Sequence, residues 1–146
     1  MKNPVIVLMI AVLGVPFAVA GEDPIQQREE LMEETRDALK PLGAMAKGER
    51  EFDAEVVNAS FAVWKRAGAQ FGDLFPEGSE SGEGTEAKST IWTDREGFDR
   101  ALAEFNEAVD TAMAAQPGSV DELKPVLGGV TKTCKGCHDG YRVKDD

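Results

Sequence analysis

Five consecutive residues near the end of this 146-residue chain, Cys134-Lys135-Gly136-Cys137-His138, have the types and the spacing to do chemistry. Two cysteines three apart, followed at once by a histidine, form the C-x-x-C-H pattern that attaches a c-type haem. On a helix, residues i, i+3 and i+4 lie on one face within about one turn. Two thiols so placed can form thioethers to the two haem vinyl groups, and the adjacent imidazole then reaches the iron from the same side. His138 is the single histidine of the sequence, so it is the one imidazole available. A structural zinc site wants four Cys or His ligands, and this chain has two Cys and one His. A thioredoxin-like redox pair belongs near a βαβ pattern, and no such alternation is present. A Cys134–Cys137 disulfide, making a helical binding module without haem, leaves His138 without a role.

The motif must sit in a compartment where haem is joined to thiols, and the N-terminus predicts one. Lys2 precedes an apolar run from Val5 to Val15, and Ala18-Val19-Ala20 is an A-x-A cleavage site. Residues 1–20 therefore read as a cleaved secretory signal, with a single domain over 21–146. An uncleaved membrane anchor is the other reading, but the run is short for a span and Pro16 interrupts it. No cysteine follows the cleavage site to carry a lipid. The destination is a bacterial periplasm. Cleavage leaves 126 residues and removes one cation, so the formal charge moves from −11 to −12. Such an acidic chain lacks the basic surface that nucleic-acid binding requires. It suits a soluble protein steered towards basic partners.

Helical spacing predicts four elements that position the motif. The first runs from Pro24 to about Ala46, with Arg28, Met32, Thr35, Leu39, Leu42 and Ala46 on one stripe. Pro24 suits its start, Pro41 should kink its end, and Lys47-Gly48-Glu49 stops it. The second runs from Asp53 to Phe71, with Val56, Val57, Ser60, Val63, Trp64, Ala67 and Phe71 inward. The third spans Asp94 to Gln116 after a Thr93-x-x-Glu96 capping box, with Phe98, Leu102, Phe105, Val109 and Ala112 inward. The fourth starts at a Ser119-x-x-Glu122 box and ends near Arg142. Val120, Leu123, Leu127, Val130, Cys134, Cys137, His138 and Tyr141 share its face, and Pro125 sits awkwardly within it. The connections between helices one and two and between three and four are short, and that from Gly72 to Ile91 is long. Short connections make antiparallel neighbours, which predicts an all-α, up-down-up-down four-helix bundle around a covalent haem, with the long connection at the haem's end.

That topology puts the end of helix four beside the start of helix one, and it sorts the second axial ligand. Beyond the signal only Met32, Met45 and Met113 remain. Met45 lies 13 residues past Met32, about 20 Å along the axis. Met113 is near the far end of helix three, and no methionine follows His138. Met32 alone is at the haem's level. Arg28, one turn before it, is placed to pair with a haem propionate. Arg142, four residues after His138, is placed near the proximal imidazole. Phe71, Phe75 and Trp92 belong to the haem end, whereas Trp64 and Phe105 read as plain core. Each arginine also has an ordinary reading as a solvated helix residue.

Taken together these residues resemble the class II cytochromes c, the family of cytochrome c′ and cytochrome c-556. The resemblance spans the whole mature chain. It is carried by Leu42-Gly43-Ala44-Met45-Ala46-Lys47-Gly48, Phe75-Pro76, Ala87-Lys88-Ser89-Thr90-Ile91-Trp92 and the stretch from Cys134 through His138 to Asp139-Gly140-Tyr141-Arg142. It implies one covalent haem c in a four-helix bundle, often a homodimer, acting with redox partner proteins and not as an enzyme. It also implies two branches. In the cytochrome c-556 branch a helix-one methionine binds the iron and the protein carries electrons in a low-spin state. In the cytochrome c′ branch the distal face is open or guarded, and small gases such as nitric oxide bind there. Met32 occupies the position of that methionine, and its surroundings look more like the low-spin branch. The expectation is therefore a periplasmic one-electron carrier with His138 and Met32 on the iron. The alternative is a high-spin, five-coordinate cytochrome c′ binding nitric oxide or carbon monoxide. By the same resemblance Thr85 reaches a propionate. The glycine-rich Glu77 to Gly84 insert fits neither branch closely.

Overall fold

The computed structural model describes residues 23–143, so the expected signal over residues 1–20 lies outside the described residues. Each long helix begins where a side chain caps it. Helix α1, Pro24–Lys47, starts with the Asp23 carboxylate accepting the Ile25 N–H at 2.9 Å and with proline in the first turn. Its end is a Schellman turn. Gly48, at φ 76°, donates to Met45 and Glu49 donates to Ala44, so a left-handed residue closes the helix without steric cost. Helix α2, Ala54–Gln70, starts on the Asp53 carboxylate, which accepts from Glu55 and Val56. A 3₁₀ turn, Phe71–Leu74, prolongs α2, and a one-turn helix α3, Thr90–Thr93, precedes α4, Arg95–Ala115. Helix α5, Val120–Tyr141, carries the C-x-x-C-H motif in its last two turns.

The four long helices match the four predicted, each within a residue or so at its ends, and they close a ring in which α1 packs on α2, α2 on α4, α4 on α5 and α5 on α1. The caps differ in detail. The N-cap of α4 is Asp94, whose carboxylate accepts the Gly97 N–H, and not Thr93, whose hydroxyl donates to Ser89. The Ser119 hydroxyl accepts from Glu122 as expected, but the Glu122 carboxylate reaches back to Gly118, one residue before the cap. Helix α1 also continues through Pro41 to Lys47.

The inward stripe of α1 lies about one residue away from the predicted line. Ile25, Arg28, Leu31, Ala38, Leu42 and Met45 are buried, whereas Met32 is half-buried and Leu39 and Ala46 pack at the edge of the core. The cause is that α1 is wedged between two neighbours, and one residue is about 100° of rotation. Leu39, Gly43 and Ala46 border a shallow groove of about 610 Å³ shared with Leu127, Gly128 and Thr131 of α5, where small side chains leave the space between the two helices unfilled.

Buried side chains form two clusters. The main one fills the middle and far end of the bundle with Leu42, Met45, Phe61, Trp64, Leu123 and Val130 among its members. Trp64 donates its indole N–H to the Thr35 carbonyl at 3.0 Å, and its ring lies 5.7 Å from that of Phe61, a residue the periodicity did not place inward. The second, smaller cluster holds Phe75, Ile91 and Phe98, with Phe71, Trp92 and Tyr141 against it. No helix among the described residues is long and apolar enough to cross a membrane.

Two stability measurements check this account. Trp64→Ala removes a large buried ring and its hydrogen bond, and should lower the unfolding free energy by about 3–5 kcal/mol. In the same denaturant titration, Asp94→Ala should cost about 1 kcal/mol. Thr93→Ala should change it far less. Equal losses for Asp94 and Thr93 would contradict the capping assignment.

Candidate haem-binding site

The last two turns of α5 bring Cys134 and Cys137 to one side as free, half-buried thiols. Burial raises both thiol pKa values, because the thiolate loses hydration there. His138 follows on the exposed edge of the helix. Its partial enclosure, then the nearby Arg142 cation, lower the imidazole pKa, while Glu86 and Asp139 act in the opposite sense. The net direction favours the neutral ring, whose lone pair is the form that binds a metal.

The motif occupies the interval between the two clusters. Cys134 packs against the main core, and Tyr141, two turns later, packs against the smaller one. Leu31 of α1 is buried at this end yet belongs to neither cluster. The smaller cluster presents rings edge to face: Phe71 on Phe75 at 5.1 Å, Phe75 on Phe98 at 4.9 Å, and Phe98 on Tyr141 at 5.5 Å. Phe71, Phe75 and Trp92 thus lie at the motif's end, and Trp64 and Phe105 with the main core, as their positions predicted.

A segment that periodicity left as a plain connection holds the motif in place. A helix leaves its last four carbonyls without partners inside it. Here all four are met. The His138 carbonyl accepts from Arg142, Asp139 from the Lys88 ammonium, Gly140 from the Thr90 hydroxyl, and Tyr141 from the Lys88 backbone. Val143 donates to Glu86, completing an isolated antiparallel bridge between Ala87 and Arg142. Glu86 also pairs with the Arg142 guanidinium at 2.6 Å. Tyr141 donates to Asp94, the cap of α4. The only sequence signal for this docking was the string Ala87 to Trp92, and it carries no periodicity.

The remaining candidates fall as follows. Arg28 is buried, 6% exposed, and donates to the Ser79 carbonyl at 2.9 Å. Its guanidinium lies over the Phe75 ring at 4.6 Å and near Trp92 at 5.8 Å. Burial lowers its pKa, and Asp23, Glu29 and Glu80 oppose that shift. Thr85 is half-buried and its hydroxyl accepts the Ala87 N–H at 3.3 Å. Arg142 is exposed at the end of α5, paired with Glu86. Met32 is half-buried, one turn after Arg28.

These residues fit a covalent haem. Two thiols one turn apart and an imidazole beside the second match the donor set of that group, and they lie where the two apolar clusters meet. Among the described residues no group of three or more His, Cys, Asp or Glu is arranged to hold a metal ion by itself.

Comparison with known proteins agrees with the geometry. The family model for cytochrome c′ matches residues 23–142. A cytochrome c′ of Rhodopseudomonas palustris is 42% identical, over 92% of each chain. A cytochrome c-556 of the same organism is 30% identical, over 99% of each. The solved cytochrome c′ from Rhodopseudomonas palustris aligns with a TM-score of 0.81 at 36% identity, covering 85% of this chain and 98% of that one. Motif, helical ring and whole-chain similarity converge: the chain belongs to the cytochrome c′ family, and its cofactor is a covalently attached haem c.

Proposed function

We propose that this chain is a periplasmic haem protein of the cytochrome c′ kind, a non-enzymatic gas-binding cytochrome with His138 as the only protein ligand to iron. The whole-chain likeness to cytochrome c′, at 42% against 30% for cytochrome c-556, carries the reading. The bound haem supplies an iron that exchanges one electron and has a coordination position for a diatomic gas. Cys134 and Cys137 hold the macrocycle by thioethers, and the capped last turn of α5 fixes the direction of the imidazole. Met32 and Leu31 stand on α1 across from the motif, where they screen the distal face and keep water out. Residues 1–20 serve as the cleaved export signal, and the mature protein meets redox partners in solution, as a homodimer.

A low-spin carrier with Met32 on the iron is the second reading, and one geometric observation favours it. Leu39 and Thr131 face the same groove between α1 and α5. Met32 is one heptad from Leu39 towards the motif's end, and His138 is one heptad beyond Thr131, about 10 Å along each helix. The two side chains are thus carried to one level on antiparallel helices.

Two experiments test the proposal. Precipitation in acidified organic solvent should leave haem on the polypeptide, and a Cys134→Ser, Cys137→Ser double variant should retain none covalently and melt at a lower temperature, since a ligand bound only by the native state stabilises it. Freely extracted haem would exclude the attachment. The oxidised protein at neutral pH should be high-spin, and the reduced protein should bind carbon monoxide. Met32→Ala should keep that spin state and bind the gas faster. A low-spin ferric wild type that becomes high-spin in Met32→Ala would establish the carrier reading instead.

A further inference from the structure

The insert between Pro76 and Gly84 is built as two consecutive tight turns. Ser79 donates its backbone N–H to the Pro76 carbonyl, and Thr85 donates to Gly82. In each turn the third residue is a glycine with positive φ, Gly78 at 87° and Gly84 at 84°, the conformation that position favours. The first turn is pinned from both sides. The Pro76 carbonyl also accepts from the Ser79 hydroxyl at 2.8 Å and from the Trp92 indole at 3.2 Å. Ser79 is itself buried.

The second turn lies directly on the first turns of α1. A β-carbon on Gly82 would stand 2.5 Å from the Ile25 side chain, and one on Gly84 2.4 Å from the Glu29 carboxylate. Any larger residue there would have to push the ends of those side chains aside, and Gly84 also needs its positive φ. The cation that joins the two layers is Arg28, which projects from α1 to the Ser79 carbonyl and hydroxyl with its planar face on Phe75. A charge buried this far must be compensated, and here a loop carbonyl, an aromatic face and the nearby carboxylates of Asp23, Glu29 and Glu80 compensate it. The carbonyl that holds Arg28 therefore belongs to the insert.

We propose that Arg28 is a positioning residue that latches the segment 76–84 as a strap across the start of α1, and that this strap sets how readily a small gas reaches the distal side of the haem. The latch stands on the geometry alone. The access role rests on the cytochrome c′ reading, because α1 carries Met32 one turn beyond Arg28 and so forms the distal wall.

Glu77, Glu80 and Glu83 allow the strap to be probed in the haem-loaded protein with a glutamate-specific protease. Glu49 and Glu51, in the exposed connection after α1, serve as internal references. Cleavage in the native state follows the population of the open form. Arg28→Gln should accelerate cutting within 77–83 by about tenfold or more at unchanged cutting at 49 and 51. Gly82→Val, which wedges the strap off Ile25 while leaving Arg28 intact, should do the same. Arg28→Lys should lie between, because an ammonium keeps the charge but not the planar contact. Both opening variants should also bind carbon monoxide faster in the ferrous state. Unchanged strap cutting in Arg28→Gln and Gly82→Val overturns the latch. Faster cutting with unchanged carbon monoxide association overturns the access role. A wild type that binds no carbon monoxide overturns the gas-binding reading and the access role with it, and the cleavage rates still decide the latch.

Discussion

The last turn of α5 depends on the segment Lys88–Thr90 for the partners of its carbonyls. These groups lie at the surface, where water would accept the role, so each bond adds on the order of 0.5–1.5 kcal/mol at most. Their importance is directional. A helix end that water caps can fray, and His138 lies in that last turn. Bonds from Lys88, Thr90 and Arg142 to four successive carbonyls hold the turn helical to Tyr141. They thereby keep Cys134, Cys137 and His138 at helical spacing, on which attachment of the haem and the approach of the imidazole both depend.

The same docking explains why the core is divided. Tyr141 packs on Phe98 and donates to Asp94, so the end of α5 is tied to the start of α4. Gly97 lies beneath that contact, where a β-carbon would stand 2.5 Å from the Tyr141 hydroxyl. The aromatic cluster thus closes one side of the motif while the main core closes the other. Cys134, packed on the main core, and Cys137 would hold the haem at this junction of the two clusters.

The surface charges contribute little to this architecture. Pairs such as Lys65–Asp110 across α2 and α4, or Lys135–Asp139 along α5, are exposed on both partners, and such pairs contribute at most about 1 kcal/mol. Arg28 is different in kind. It is a buried cation whose partners come from a loop some fifty residues away, so its state and that of the loop are linked.

The amino-acid sequence by itself determined the motif, the four helices and most of their ends, because these follow from local rules: the spacing of two thiols and an imidazole, apolar residues at a 3.6 period, and Asp, Ser, Pro and Gly at helix boundaries. It determined the candidate axial ligands by order along the chain. It did not determine which line of α1 faces inward, since the buried arc depends on two neighbouring helices and Met32 and Leu31 differ by a single step around the axis. Nor did it reveal the partners of Arg28 and Arg142. Guanidinium groups at the end of a bundle can reach a propionate, solvent or a loop carbonyl, and periodicity carries no information about a non-repetitive segment such as 76–90. The tertiary structure decided the buried line of α1 and supplied the protein partners of both arginines, because the insert packs closely on α1 at its glycines, and the carbonyls of α5 are met by a chain that passes across its end.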